Sequence, residues 1–255
     1  MTFQSTTNKQ AAICPKCGKP KEKYDEEYKR FFPVYCDCQL KEIKEFEEEQ
    51  QQLKSAKLFE CSRLGNKYKD VTFETTDLTN VDNSFVQAFK RCERYCNGFT
   101  EVLKRGLGIY IYGNDVGCGK THLGACIINR LIQQEQYCLS VTFNDIVDAI
   151  FEKKYSTLLD KVLNYSLVLF DDIGTEIVNK NGTDTWLQEK VFHYINSRYI
   201  NKLPTIFTAN HSLSDLGKEK GYMKKTLDRI YEMSTAKLEI KGKSYRLRKK
   251  ENDIF

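Results

Sequence analysis

Leu107-Gly108-Ile109-Tyr110-Ile111-Tyr112 runs directly into Gly113-Asn114-Asp115-Val116-Gly117-Cys118-Gly119-Lys120-Thr121-His122. Leu123, Ala125, Cys126, Ile127 and Leu131 then follow at helical spacing. The first six residues, rich in β-branched and aromatic side chains, read as a buried strand. Strand, Gly-rich loop, Lys-Thr and helix, in that order, form the context in which a loop wraps phosphate. Gly117 and Gly119 let backbone N–H groups close on phosphate oxygens, and the helix N-terminus adds its positive dipole end. Lys120 is suited to neutralise β- and γ-phosphates, and the Thr121 hydroxyl to ligate Mg²⁺. The strict spacing G-x-x-x-x-G-K-T puts its first glycine at position 114, where this chain has Asn, with Gly113 one residue early. Asn enters the left-handed conformation more readily than other non-glycine residues, so the loop is expected to close.

Two further strands end in polar residues. Leu167-Val168-Leu169-Phe170 runs into Asp171-Asp172. A strand-end carboxylate at Asp171 suits the Mg²⁺ shell, and Asp172 suits a general base on water. Glu176 is a fallback base. Thr205-Ile206-Phe207-Thr208, entered after Pro204, ends in Ala209-Asn210. Asn210 is placed either to orient a lytic water or to cap the turn at His211-Ser212.

The chain has 255 residues, one or two domains at about 150 residues each. At 40% hydrophobic it has enough apolar side chains for a sizeable core. No run of ~20 apolar residues marks a membrane span, and the N-terminus lacks an apolar export signal. A cytoplasmic protein is expected. The net charge of +5 permits nucleic-acid contact without demanding it.

Ten cysteines stand out. In a chain without an export signal they are expected as thiols or metal ligands. Cys14-Pro-Lys-Cys17 and Cys36-Asp-Cys38 make two close pairs separated by 18 residues. Four thiolates of this kind can surround one structural Zn²⁺. The first histidine is His122, so the site would be all sulfur. Metal would supply the folding energy of so small a module. A helix is expected over Gln39 to Phe59, with Leu40, Ile43, Phe46 and Leu53 roughly on one stripe; it is either a solvated linker or a partner-binding face. A second helix is expected from Phe85 to Leu103, with Cys92 and Cys96 in the core beside Phe89 and Phe99. Cys126 and Cys138 also read as core, and Cys61 has no assigned role. His122, His193 and His211 are too scattered for a metal site.

Gly-Cys-Gly-Lys-Thr-His-Leu (117–123), Leu-Phe-Asp-Asp-Ile-Gly-Thr-Glu (169–176) and Pro-Thr-Ile-Phe-Thr-Ala-Asn (204–210) together resemble the AAA+ ATPases of the DnaC/DnaI helicase-loader and IstB group. The blocks Leu-Asp-Arg-Ile-Tyr-Glu-Met (227–233) and Gly-Lys-Ser-Tyr-Arg (242–246) fit as well. The resemblance covers about residues 65–248. It implies an α/β fold: a five-stranded parallel sheet between helices, with ATP at the strand C-terminal ends, where open α/β sheets bind ligands. It implies catalytic roles for Lys120, Asp171, Asp172, Asn210, Arg229 and Arg246. Arg229 matches an arginine finger reaching a neighbouring subunit's ATP, and Arg246 matches a sensor. ATP or ADP would lie on Gly113, Asn114, Asp115, Val116, Gly117, Cys118, Gly119, Lys120, Thr121 and His122. Mg²⁺ would lie on Thr121 and Asp171, and Zn²⁺ on Cys14, Cys17, Cys36 and Cys38.

The domains expected are a zinc-binding module with its helical linker at 1–60 and an ATPase domain at 61–255. The function implied is that of an ATP-dependent replicative helicase loader. Its module would grip a hexameric helicase, and its ATPase domain would bind single-stranded DNA and self-associate. Slow hydrolysis would act as a switch. A transposition helper of the IstB type is the alternative, though such proteins usually lack a Cys-rich head. A non-hydrolysing nucleotide-dependent adaptor is a third reading. Two basic stretches are candidates for DNA contact: Lys237, Lys241, Lys243, Arg246, Arg248, Lys249 and Lys250, which otherwise form a solvated tail, and Lys153-Lys154-Tyr155.

Overall fold

The computed structural model describes residues 12–174, 178–179, 182–183, 185–219, 222–242 and 244–245. Glu176, Lys243, Arg246, Arg248, Lys249 and Lys250 lie outside them. The chain divides into two compact units, Met1–Lys54 and Ser55–Phe255, with the division inside a helix.

In the first unit, strands β1 (Glu22–Asp25) and β2 (Arg30–Pro33) form an antiparallel hairpin. It occupies the 18 residues between the two cysteine pairs and so folds the second pair back toward the first. Helix α1 (Asp37–Cys61) starts within the second pair, so Cys38 lies in its first turn. Leu40, Ile43, Phe46 and Leu53 of the expected stripe are all exposed, while Leu58 near its end is buried.

The second unit alternates helices and strands. Helix α2 (Asn83–Asn97) is capped by the Asp82 side chain, and α3 (Phe99–Arg105) follows at once. The single helix expected from Phe85 to Leu103 is therefore two. Gly98 leaves helical geometry (φ −99°, ψ 21°) and its N–H closes α2 on Arg94. Strand β3 (Gly108–Tyr112), helix α4 (Lys120–Gln133), strand β4 (Cys138–Thr142), helices α5 (Phe143–Phe151) and α6 (Tyr155–Asn164) and strand β5 (Leu167–Ile173) come next. The two-residue strands β6 (Val178–Asn179) and β7 (Gly182–Thr183) precede helix α7 (Thr185–Ile200). Strand β8 (Thr205–Ala209), helices α8 (Leu213–Glu219) and α9 (Lys224–Met233) and strand β9 (Ser234–Glu239) complete the order.

Five strands make one parallel sheet in the order β4-β5-β8-β3-β9. Alternate residues of each strand feed opposite layers, as the two-residue period of a strand requires. Ile109, Ile111, Leu167, Leu169 and Ile206 pack with α2 and α4 residues such as Phe89, Cys92, Cys96, Cys126 and Ile127. Tyr110, Val168, Phe170 and Phe207 pack on the other face with Ile146, Val162, Tyr194 and Ile230. The α/β class and the five-stranded parallel sheet between helices are as expected. Cys92, Cys96, Cys126 and Cys138 are buried core residues, whereas Cys61 is exposed.

Of the basic C-terminal stretch, Lys237 and Lys241 lie among the described residues, and Lys237 belongs to strand β9 and not to a tail. Lys237 lies in β9, opposite Tyr110 of β3, with its ammonium 3.8 Å from the Tyr231 ring centroid. Lys241 pairs with Glu239 at 3.3 Å. Among the described residues, no helix is long and apolar enough to cross a membrane.

Arg198 on α7 ties the start of β5 to the start of β8. The side chain is fully buried, and its guanidinium donates to the carbonyls of Val162, Tyr165 (3.1 Å), Ser166 (3.5 Å) and Pro204 (2.6 Å). Its Nε donates to Thr205 Oγ1 at 2.9 Å. Burial pulls its pKa down to about 9, which still leaves it charged at neutral pH.

Candidate functional site

The phosphate-binding loop joins β3 to α4. Gly117 and Gly119 occupy left-handed backbone (φ 84° and 107°), which glycine adopts without a Cβ clash. A Cβ on Gly119 would lie 2.4 Å from the Phe85 ring, so α2 also demands glycine there. Asn114 is not among the residues with positive φ, so the loop closes without the left-handed turn considered for it. Gly113 has a different job. A Cβ there would lie 2.3 Å from the Ile240 carbonyl, where the chain leaving β9 donates its N–H to Tyr112 at 2.7 Å. The early glycine is thus fixed by sheet packing.

Lys120 is only 7% exposed. Its ammonium donates to the carbonyls of Gly113 (2.9 Å) and Asp115 (3.1 Å) and sits 3.5 Å from Cys118 Sγ. These neutral partners leave its charge uncompensated within the loop, which suits capture of an anion. Cys118 is buried beneath the loop, while Val116 at its crest is exposed. His122 is held by Thr76, whose Oγ1 lies 2.9 Å from His122 Nε2, and burial lowers its pKa.

The tips of β5 and β8 meet the loop. Thr121 Oγ1 donates to Asp171 Oδ1 and Oδ2 at 3.0 and 3.2 Å, so the expected Mg²⁺ pair is in contact. A hydroxyl and a carboxylate are the hard oxygen donors Mg²⁺ takes. Asn210 Nδ2 donates to Asp172 Oδ1 at 3.0 Å. Asn210 does not cap α8; Ser212 does, accepting the Asp215 N–H at 3.2 Å. The expected residues of loop, β5 and β8 therefore converge on one place.

Arg229 is on α9. Its Nε donates to Asn196 Oδ1 at 3.3 Å, NH1 to Asp228 at 3.2 Å, and its guanidinium lies 4.4 Å from the Tyr199 ring centroid. Lys153 has left-handed backbone between α5 and α6, and Lys154 pairs with Glu152 at 2.8 Å. The Tyr155 ring is engaged by Tyr194 at 4.9 Å and by the Lys190 ammonium at 4.8 Å, and its hydroxyl lies 2.9 Å from His193 Nδ1. The ring is half-buried among these neighbours.

Sequence reasoning missed Thr208 and Tyr245. Thr208 Oγ1 donates to Asp171 Oδ1 at 2.5 Å and accepts the Asp172 N–H at 2.8 Å. No local signal marks it, because both contacts depend on how β5 pairs with β8. The Tyr245 N–H donates to the Gly117 carbonyl at 3.0 Å, and its ring lies 5.5 Å from Phe85. Nothing local marks that contact.

In the first unit, the ligand atoms of Cys14, Cys17, Cys36 and Cys38 all lie within 4.8 Å of one another. A tetrahedral Zn²⁺ site with bonds of about 2.3 Å needs sulfurs ~3.8 Å apart, so this cluster fits the ion. Gly18 turns the first pair (φ 69°) and donates to the Cys14 carbonyl at 2.9 Å. Backbone N–H groups of Cys17 and Lys16 hold the Cys14 thiol down to about 7, whereas Cys17 and Cys36 are raised in the company of the other thiols.

Comparison with known proteins agrees with this geometry. Residues 47–253 match the family described as IstB-like ATP binding protein. The replicative helicase loader DnaI of Bacillus subtilis is 27% identical over 187 residues, which are 71% of this chain and 56% of DnaI. A putative ATP-binding protein of insertion sequence IS21 from Pseudomonas aeruginosa is 30% identical over 141 residues, 52% of this chain and 51% of that one. The chain thus spans little more than half the length of these relatives. The crystal structure of the DnaC helicase loader superposes with a TM-score of 0.58 at 25% identity, covering 69% of this chain and all of that one. With its phosphate loop, strand tips and sheet order, this chain belongs to the IstB-like ATP binding protein family, among the AAA+ proteins of the DnaC/DnaI type.

Proposed function

We propose that this protein is an ATP-dependent replicative helicase loader. The 1–60 module binds a hexameric helicase, and the 61–255 domain binds ATP and single-stranded DNA. The observation that carries this reading is the pairing of two sites in one chain. One is a nucleotide site in which Thr121, Asp171, Asp172 and Asn210 converge. The other is a four-thiol cluster that precedes the family match at residue 47. In this reading Lys120 and the loop N–H groups hold the phosphates. Thr121 and Asp171 hold Mg²⁺, which neutralises phosphate charge when bound. Asp172, steadied by Asn210, takes the proton of the attacking water, with Glu176 as the fallback. Arg229, on self-association, reaches a neighbour's nucleotide, and Arg246 senses it. Slow hydrolysis then switches the assembly, because the γ-phosphate stabilises only the state that contacts it. Cys14, Cys17, Cys36 and Cys38 hold one Zn²⁺ that folds the helicase-binding module.

The similarity to the IS21 protein favours a second reading, a transposition helper acting on double-stranded DNA. Co-purification separates the two. The loader reading expects a hexameric replicative helicase to be retained in ATP and released in ADP, and a transposase not to be retained. Retention of the transposase alone would replace it with the second reading.

A further inference from the structure

Asp171 and Asp172 are adjacent in β5, and successive side chains of a regular strand point to opposite faces. The pairing of β5 with β8 shows how both nevertheless serve one site. Phe170 lies opposite Phe207, and Ile173 lies opposite Ala209. Between those pairs β5 has two residues, Asp171 and Asp172, where β8 has one, Thr208. This is a bulge, which re-aims a side chain and breaks the ladder of main-chain hydrogen bonds. Asp172 takes up the extra residue with a left-handed backbone (φ 61°), a conformation unfavourable for a non-glycine residue. Its N–H is given to the Thr208 hydroxyl at 2.8 Å. The same hydroxyl gives its own proton to Asp171 Oδ1 at 2.5 Å.

We infer that Thr208 is a positioning residue for the nucleotide site, setting the metal-binding carboxylate and the base carboxylate against each other through one hydroxyl. Thr208 is 1% exposed in the central strands, so its hydroxyl is committed to these two bonds and not to solvent. Asp171 would retain Thr121 alone of these two hydroxyl donors, and Asp172 would lose the anchor of its unusual backbone while keeping Asn210 on its carboxylate. Serine supplies both bonds, whereas valine, of nearly the same shape, supplies neither.

This inference rests on the ATPase reading, and the test separates the two. Nucleotide affinity, kcat, KM and the Mg²⁺ concentration for half-maximal effect are measured on the full chain, with thermal melting as the check on folding. Lys120→Ala is the control, expected to abolish nucleotide binding. Thr208→Val is expected to lower kcat about 10- to 100-fold and raise the Mg²⁺ requirement, with Mg²⁺-free nucleotide affinity within about twofold of wild type. Thr208→Ser should restore both quantities. If the valine variant does not fold, Thr208→Cys keeps the side chain small with a weak hydrogen-bonding thiol and should show the same split at smaller amplitude. Should the wild type bind nucleotide without turnover, the Mg²⁺ requirement alone carries the comparison. Wild-type kcat and Mg²⁺ requirement in Thr208→Val would overturn the inference, as would failure of serine to rescue, or an equal loss of Mg²⁺-free affinity. Absence of nucleotide binding by the wild type would instead overturn the ATPase reading, and this inference with it.

Discussion

Replacing Arg198 by methionine tests the sheet register on which the site depends. The side chain is fully buried and its donors reach four carbonyls and one hydroxyl. Methionine fills similar space but donates nothing. Ser166, at 3.5 Å, loses little, and Thr205 keeps its own donation to Leu203 at 2.9 Å. The Pro204 carbonyl keeps the Val168 N–H at 3.4 Å, so the Val162 and Tyr165 carbonyls bear the main cost. Each buried acceptor left without a partner costs about 1–3 kcal/mol. Desolvation already works against the charge, as the lowered pKa shows, so its removal offsets part of the loss. A net loss of about 2–4 kcal/mol follows from two such acceptors after that offset. At about 2–4 °C per kcal/mol for a domain of this size, Tm should fall by about 4–16 °C, read by circular dichroism. Arg198→Lys should recover only part of this, because one ammonium cannot span both strand starts. A fall of less than about 3 °C for the methionine variant would refute the idea that Arg198 ties β5 to β8.

Four other perturbations address the sites. Lys120→Ala should abolish ATP binding in a fluorescent-nucleotide titration, and unchanged affinity would remove the phosphate-loop assignment. Arg229→Ala should leave ATP binding intact while slowing hydrolysis in the assembled state; normal hydrolysis in both the monomer and the assembly would exclude action across subunits. Metal analysis should find one zinc per chain, lost when Cys36 and Cys38 are both replaced by serine, with the helical signal of the 61–255 domain retained. His122 is the pH-dependent case. Burial lowers its folded pKa, so the unfolded chain binds more protons below about 6.5 and stability falls as pH drops through that region. His122→Gln, which can still bond Thr76, should lose less stability between about pH 7.5 and about pH 5.5 in urea melts than the wild type does; an equal loss would show that other groups govern the acid response.

The parts of this site legible in the sequence are those whose residues are contiguous. Gly117, Gly119, Lys120 and Thr121 carry their chemistry in a single turn, so their order suffices. Strands β3, β5 and β8 were legible because buried parallel strands are short apolar runs. Periodicity did not reveal the break at Gly98, since the apolar positions from Phe85 to Leu103 keep their spacing across it. Strand β9 was hidden because Ser-Thr-Ala-Lys-Leu-Glu has only Ser234 and Leu238 buried, and Lys237 reads as part of a charged tail. The spacing of Cys14, Cys17, Cys36 and Cys38 pointed to four sulfurs, but the β1–β2 hairpin that brings the pairs together was not visible in it.

The carboxylate pair marks the limit most clearly. Adjacent acids in a strand would ordinarily face opposite ways, so Asp171-Asp172 as letters cannot say that both serve one site. What decides it is the mismatch between two strands far apart in sequence: two residues of β5 against one of β8, with Phe170 and Ile173 still in register on either side. Thr208 acquires its importance only from that mismatch, because in an unbulged ladder the Asp172 N–H would bond to a main-chain carbonyl and the hydroxyl would have no backbone to hold. A residue of this kind is readable only from paired strands, whereas Lys120 is readable from one loop. The same reasoning gives Arg198 its place at the opposite end of the same strands: whatever fixes their stagger there also fixes which residue of β8 stands opposite the two acids.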